Sequence, residues 1–455
     1  MTDDLIVHAA QLGADYRARV AELPVFPRDL DAASLRASLG TLPDGPTPPR
    51  EALDLLATSV EPALVGVAGP RYFGFVIGGC VEAAAAADVL AVAWDQPAFN
   101  QVTSPAAAIV EDIAGSWLKE LLGLPASASF GFVTGGQGAN TVALAAARHK
   151  VYAEAGWDVE QRGVNGAPPI RVVVNEQRHA TIDRALRLLG LGLDCVEPVG
   201  TNGEGAIDVA DLRRVLTSAA SGPTIVVLQA GNVGSGAFDD LAAACEVAHA
   251  AGAWVHVDGA FGLWAAASPA LRHLTRGIEL ADSWATDGHK TLNVPYDSGY
   301  VFCAHPDVHK ASMAYTAAYL TGQGDGPRAP SDFVPESSRR ARGFATWAAL
   351  RQLGRSGVAD LVEQLCARAR RFADQLSAHP RITIANDVVF NQVLVGFDDD
   401  ATTDRVVAAV QSSGECWMGT TSWRGRRVMR ISVSSWKTTD DDVDRSVAAI
   451  LAAIP

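Results

Sequence analysis

Between Phe130 and Cys303, short runs of β-branched and aromatic residues alternate with stretches of helical spacing. This alternation restricts the fold more than any other feature of the chain. The runs are Phe130–Thr134, Arg171–Asn175, Thr224–Gln229, Ala253–Asp258, Asp282–Thr286 and Ser298–Cys303. Between most of them lie helical stretches such as Ala139–Ala155, Ala180–Leu189, Asp208–Ala219 and Asp239–Ala251. Strands that take turns with helices predict an α/β fold, a mainly parallel sheet sandwiched by helices. From Gly343 the pattern changes. A long helical stretch to His379, strand-like Val388–Val395, a helix, strand-like Val428–Ser434 and a last helix, Thr439–Ala453, predict a small C-terminal α+β domain. The expected organisation is an N-terminal helical segment over 1–70, a large α/β domain over 71–342 and the small domain over 343–455.

Composition excludes several classes. Of 455 residues 48% are hydrophobic, enough to bury a large core and to exclude disorder as the main state. The charge sum, 37 − 51 = −14, repels phosphate backbones and anionic lipid, so neither nucleic acid nor membrane is an expected partner. Each of the six cysteines lies at least 50 residues from the next, which excludes a CxxC pair, a zinc knuckle and a disulfide scaffold. No metal centre is expected. The acidic start MTDDLIVHAA does not read as a signal peptide. The most apolar stretch, Cys80–Trp94, is too short for a bilayer and carries Glu82 and Asp88; it predicts a buried helix in a cytoplasmic protein. Thr321–Ser338, rich in Gly and Pro and without apolar periodicity, reads as a long mobile loop, either a lid or a disordered surface excursion.

Ligands of open parallel sheets sit beyond the carboxyl ends of the strands. There the chain places Gly135-Gly136-Gln137, His179, Asn232, Asp258 with Ala260, and His289-Lys290. The glycines opening a helix offer backbone N–H groups at its positive end, a seat for phosphate or simply a tight turn. Asp258 ends an apolar strand, where a carboxylate needs a cationic partner such as a protonated pyridine, unless it is a cap or half of a salt bridge. Lys290 can form an imine with an aldehyde, though most lysines are solvated surface groups. His179 can stack on an aromatic cofactor or cap a helix. Together a phosphate seat, an acid for a pyridinium and an imine-forming lysine describe pyridoxal 5′-phosphate (PLP).

The segments FVTGGQGAN (Phe132–Asn140), HVDGAFG (His256–Gly262), ADSWATDGHK (Ala281–Lys290) and SRRARGFATW (Ser338–Trp347) resemble the group II PLP-dependent amino-acid decarboxylases. The likeness runs from about Tyr72 to Ser435, with Asp258 and Lys290 separated by 290 − 258 = 32 residues. It implies the PLP-dependent transferase fold type I and a homodimer with the active site at the interface. It further implies decarboxylation of a small-molecule L-amino acid to the amine. By the same resemblance Lys290 is the imine lysine and Asp258 keeps the pyridine nitrogen protonated. His179 lies on the ring, Gly135, Gly136 and Gln137 cradle the phosphate, and His289 adds a contact to it. Ala260 packs on the ring, Asn232 bonds near its oxygen, and Arg430 binds the substrate carboxylate. Tyr72, Phe73 and Phe75, with Trp94, are expected around an aromatic substrate.

Two departures stand out. Gln137-Gly138 replaces the family's Ser/Thr-Glu, and no tyrosine or histidine occurs between Tyr319 and Arg339, where relatives carry a proton-donating tyrosine. The second departure opens alternatives on the same scaffold: an aldehyde from oxidative deamination, an aldolase or an aminotransferase. A non-catalytic PLP-binding role is a further alternative, against which intact Lys290, Asp258 and His179 argue.

Overall fold

The computed structural model describes residues 4–28, 30–218, 222–315 and 328–455. Seven strands form one sheet: β1 (Ser129–Val133), β2 (Arg171–Asn175), β3 (Val196–Val199), β4 (Thr224–Gln229), β5 (Trp254–Asp258), β6 (Ser283–Asp287) and β7 (Gly299–Cys303). Their order is β1-β7-β6-β5-β4-β2-β3, and only β7 runs against its neighbours. Strands β1, β4, β5, β6 and β7 are buried along their whole length. Helices therefore cover both faces, which is why these runs read as continuous apolar stretches without alternation. Strand β3 escapes sequence reading because VEPV is short and carries a proline; it is tolerated as an edge strand and paired only to β2.

A second sheet has the order β10-β11-β9-β8, from β8 (Thr383–Ile384), β9 (Gln392–Gly396), β10 (Gly419–Trp423) and β11 (Arg426–Ser432). Strand β10, GTTSW, has no apolar pattern to announce it. It is set by a two-residue hairpin in which Arg424 and Gly425 both take positive φ, the turn that matches strand twist.

The chain divides into two compact units. The smaller comprises the chain up to Gly79 with Arg368–Ala385 and Val393–Pro455; the larger comprises Cys80–Ala367 with Asn386–Gln392. The N-terminal segment is thus no separate body, and the change of unit falls inside the helix Gly343–Ser377, not at its start. The physical reason is that the helices Leu5–Arg19, Ala32–Leu39 and Pro49–Val60 bury no residue of their own. Buried Arg71 ties the segment in, donating to Asp442 Oδ1 at 2.8 Å, to the Glu415 carbonyl at 2.8 Å and to the Ala21 carbonyl at 2.7 Å.

Two expectations need correction. The helix Glu82–Trp94 is not buried: only Ala84 and Ala91 are, while Val92 and Trp94 are 66% and 51% exposed. Its apolar residues Val89, Leu90, Val92 and Trp94 form a face that the chain itself leaves uncovered. Of the loop Thr321–Ser338, residues 321–327 lie outside the described residues. Of the remainder, Ala329–Val334 is buried, with Pro330–Phe333 as a turn of helix and the Arg328 guanidinium 3.9 Å from the centre of the Phe130 ring, while Pro335, Glu336 and Ser338 are exposed.

Candidate active site

Beyond the carboxyl ends of β1, β4, β5 and β6 lies a cleft of about 280 Å³. It is lined by Gly135, Gly136, Gln137, His179, Asp258, Ala260, His289 and Lys290, all expected there from the sequence. The strand order explains the meeting. Asp258 pairs across to Ala285 in β6, and Lys290 follows three residues after that strand ends at Asp287. The glycines are required by close approach. A Cβ at Gly299 of β7 would stand 2.4 Å from Gly135 Cα, and one at Gly135 would stand 2.8 Å from the His289 ring.

Asp258 is buried and its carboxylate receives two donors, Asn140 Nδ2 at 3.0 Å and the Ala260 amide at 3.2 Å. Burial pushes its pKa up; the charges of His179 and Lys290 and the two hydrogen bonds oppose that shift. Lys290 is not a solvated surface group: its Nζ sits 2.8 Å from Oδ2 of Asp287, itself buried. The other Asp287 oxygen accepts the Gly136 amide at 2.5 Å. The structure thus gives Gly136 N–H to a carboxylate. Of the other first-turn amides, which have no helical acceptor, that of Gln137 belongs to a residue that lines the cleft.

His179 is indeed a helix cap, accepting from the Thr181 amide at 3.3 Å, and lines the cleft as well. His289 accepts from the Ser298 amide at 3.2 Å and stacks on Tyr296 at 4.3 Å; burial lowers its pKa. Asn232 does not line the cleft, although Gly231 and Val233 do. Its side-chain oxygen is turned onto its own loop, accepting from Gly234 and Ser235.

Arg430, Tyr72, Phe73 and Phe75 belong to the smaller unit, whereas every residue lining the cleft belongs to the larger. Phe73 is core, packed edge-on against Phe372, and Tyr72 stacks on Trp417 at 5.0 Å. Phe75 is exposed beside the same indole, Arg430 faces Gly419 across the β10–β11 pair, and Trp94 packs on Phe344. Sequence reasoning missed Asn140 and Asp287. Both lie inside the motif segments, Asn140 one helical turn beyond the glycines and Asp287 one turn before Lys290, and that spacing is the signal that could have found them.

The residues fit PLP. A buried carboxylate faces a cleft that also holds a primary amine, an imidazole and the open end of a helix, the groups that a pyridine nitrogen, an aldehyde and a phosphate require. Fold and site together define a fold type I PLP-dependent enzyme. The model of the pyridoxal-dependent decarboxylase conserved domain matches residues 43–398. Tryptophan decarboxylase 1 of Oryza sativa subsp. japonica is 28% identical over 93% of this chain and 87% of its own length. A phenylacetaldehyde synthase of a Rosa hybrid cultivar is 24% identical over 94% of this chain and 89% of its own length. The crystal structure of Oryza sativa TDC with PLP and tryptamine superposes with a TM-score of 0.93 at 25% identity, over 100% of this chain and 98% of that one. The chain belongs to the pyridoxal-dependent decarboxylase family, and it is a PLP-dependent carboxy-lyase acting on an amino acid.

Proposed function

We infer that the chain removes CO₂ from an aromatic L-amino acid and releases the amine. The carrying observation is that Asp258, on one strand end, and Lys290, just past the next, line one cleft. When bound there, PLP supplies a carbonyl that condenses with amines and a ring that accepts the electron pair left by departing CO₂. Asp258 holds a proton on the pyridine nitrogen. The Gln137 amide, at the positive end of the helix Gly136–Glu154, and His289 take the phosphate. Asp287 Oδ2, 2.8 Å from Lys290 Nζ, takes a proton from that nitrogen when the amine must attack and gives it back to form the ammonium afterwards. No tyrosine is available between Tyr319 and Arg339, so Lys290 is also the group that returns a proton to the substrate carbon.

An aromatic substrate is supported by the rice tryptophan decarboxylase and by Phe261 and Val233 in the cleft wall. A second reading, an aldehyde formed with O₂, is favoured by the missing tyrosine and by the synthases among the relatives. Mass spectrometry of products from the PLP-loaded enzyme and a panel of amino acids in air decides. An amine from an aromatic substrate supports the first reading and an aldehyde the second; a keto acid or glycine overturns both.

The enzyme works as a homodimer, on the support of the uncovered apolar residues Val89, Leu90, Val92 and Trp94 on one helix and Ile109 and Ile113 on another. Light scattering at micromolar concentration should give twice the chain mass; a monomer refutes it. Six free cysteines suit the reducing cytoplasm.

A further inference from the structure

Asp258 is the visible end of a buried line of side chains that the mechanism has not used. Trp254 Nε1 lies 3.0 Å from Ser283 Oγ, and Ser283 Oγ lies 3.0 Å from His256 Nδ1. His256 Nε2 lies 3.0 Å from Asn140 Oδ1, and Asn140 Nδ2 lies 3.0 Å from Asp258 Oδ2. The second Asn140 amide proton reaches Thr181 Oγ1 at 3.1 Å, and that hydroxyl lies 3.0 Å from His179 Nδ1. Ser283, His256 and Asn140 are fully buried, so water does not interrupt the line.

The direction of the bonds is set from two ends, the indole N–H of Trp254 and the carboxylate of Asp258, since a serine oxygen with two lone pairs could by itself accept from both Trp254 Nε1 and His256 Nδ1. An indole N–H only donates. Ser283 Oγ accepts it and turns its own proton to His256 Nδ1. A neutral imidazole has one N–H, which must then sit on Nε2 and point at Asn140 Oδ1. The amide is thereby fixed with its NH₂ toward Asp258 and Thr181. Thr181 accepts one of these protons and gives its hydroxyl proton to His179 Nδ1, leaving the His179 proton on Nε2. The opposite direction would set Asn140 Oδ1 3.0 Å from a carboxylate oxygen, a contact between two acceptors unless Asp258 were protonated. A second proton on His256 would break the sequence, and burial holds that ring neutral, its pKa pushed down to about 3.

We propose that Trp254, Ser283, His256 and Asn140 are positioning residues that impose one hydrogen-bond direction, which keeps Asp258 ionised toward the cofactor and His179 in its Nε2–H form. The inference rests on PLP occupying this cleft. It assigns Trp254 and Ser283, neither of which lines the cleft, a part in tuning the ring nitrogen. Asn140 becomes the branch point from which both cleft residues receive their orientation.

The test is nitrogen-15 NMR of the cofactor-free, histidine-labelled protein, with His256 assigned by comparison with His256→Gln. The expected spectrum has a protonated Nε2 and an unprotonated acceptor Nδ1. An Nδ1–H form in the wild-type protein overturns the proposal, and this measurement needs no turnover. Ser283→Ala should then mix the two tautomers and weaken PLP about tenfold, the worth of one hydrogen bond between buried groups, with a change in the absorbance of bound PLP. Unchanged affinity and spectrum in Ser283→Ala would also overturn it. Failure of the wild-type protein to bind PLP at all would instead refute the cofactor reading, so the two failures are separable.

Discussion

Gly299→Ala isolates the geometry of the cofactor seat, because the residue is far in sequence from the glycines it touches. Strand β7 runs antiparallel to β1, with Gly299 opposite Val133, and this register presses Gly299 against the turn that leaves β1. A Cβ there would meet Gly135 Cα at 2.4 Å, its carbonyl carbon at 2.6 Å and its nitrogen at 2.8 Å. All three are backbone atoms, so no side chain can swing aside. Ordinary contact begins near 3.4 Å, so the turn must retreat by 3.4 − 2.4, about 1 Å. Overpacking of this kind costs about 1–3 kcal/mol of stability. The same 1 Å carries the Gly136 amide off Asp287 and tilts the first-turn amides away from the phosphate they would hold. Loss of a charge-assisted hydrogen bond, about 1.5–3 kcal/mol, corresponds to a cofactor affinity weaker by about 10- to 100-fold. PLP titration by absorbance together with thermal unfolding measures both terms, with Gly45→Ala, which meets nothing within 4 Å, as the control. Wild-type affinity in Gly299→Ala would show that the seat does not depend on this contact and would refute the reasoning.

Lys290→Ala should abolish covalent retention of PLP; borohydride reduction followed by intact mass would show no added cofactor, and a cofactor still fixed would remove Lys290 from its assigned role. Asp287→Asn keeps an oxygen for the Gly136 amide but takes away the charge 2.8 Å from Lys290, so kcat should fall by about 10- to 1,000-fold and its pH profile should shift; an unaltered profile would deny Asp287 a proton-handling part. His256 and His309 are buried and neutral, each with its pKa pushed down from 6.5 to about 3 by burial. Below pH 6.5 the unfolded chain binds protons that the folded chain refuses. Stability is therefore full above that pH and falls by about 1.4 kcal/mol per pH unit for each histidine down to about pH 3. Urea midpoints at pH 7 and pH 5 should reveal the drop, and His309→Gln should shallow it; an equal drop in that variant would count against the assignment.

How far the sequence could be read depended on whether a signal was local. Continuous apolar runs announced β2 and β4 with the bounds the structure gives them, because a strand covered on both faces has no other way to be written. Gly135-Gly136, Asp258 and Lys290 were legible for a related reason: a strand's carboxyl end is where a parallel sheet opens, so unusual residues there point to a site. Neither β3 nor β10 could be seen, since one is held by a neighbour and the other by a hairpin turn.

The sequence by itself determined the mainly parallel α/β sheet, the cofactor class and the placing of Asp258 and Lys290 at strand ends, all of which come from periodicity and from chemistry confined to short segments. Only the tertiary structure decided what each group touches. It gave Lys290 a carboxylate, handed the Gly136 amide to that same carboxylate, folded Asn232 onto its own loop and put Tyr72, Phe73, Phe75 and Arg430 in the other unit. It also joined Trp254, Ser283, His256 and Asn140 into one line ending at Asp258. The physical reason is range. A strand or a helix is decided by neighbours a few residues apart, whereas a hydrogen bond between residues 140 and 258 exists only once the sheet has brought two distant ends within 3.0 Å.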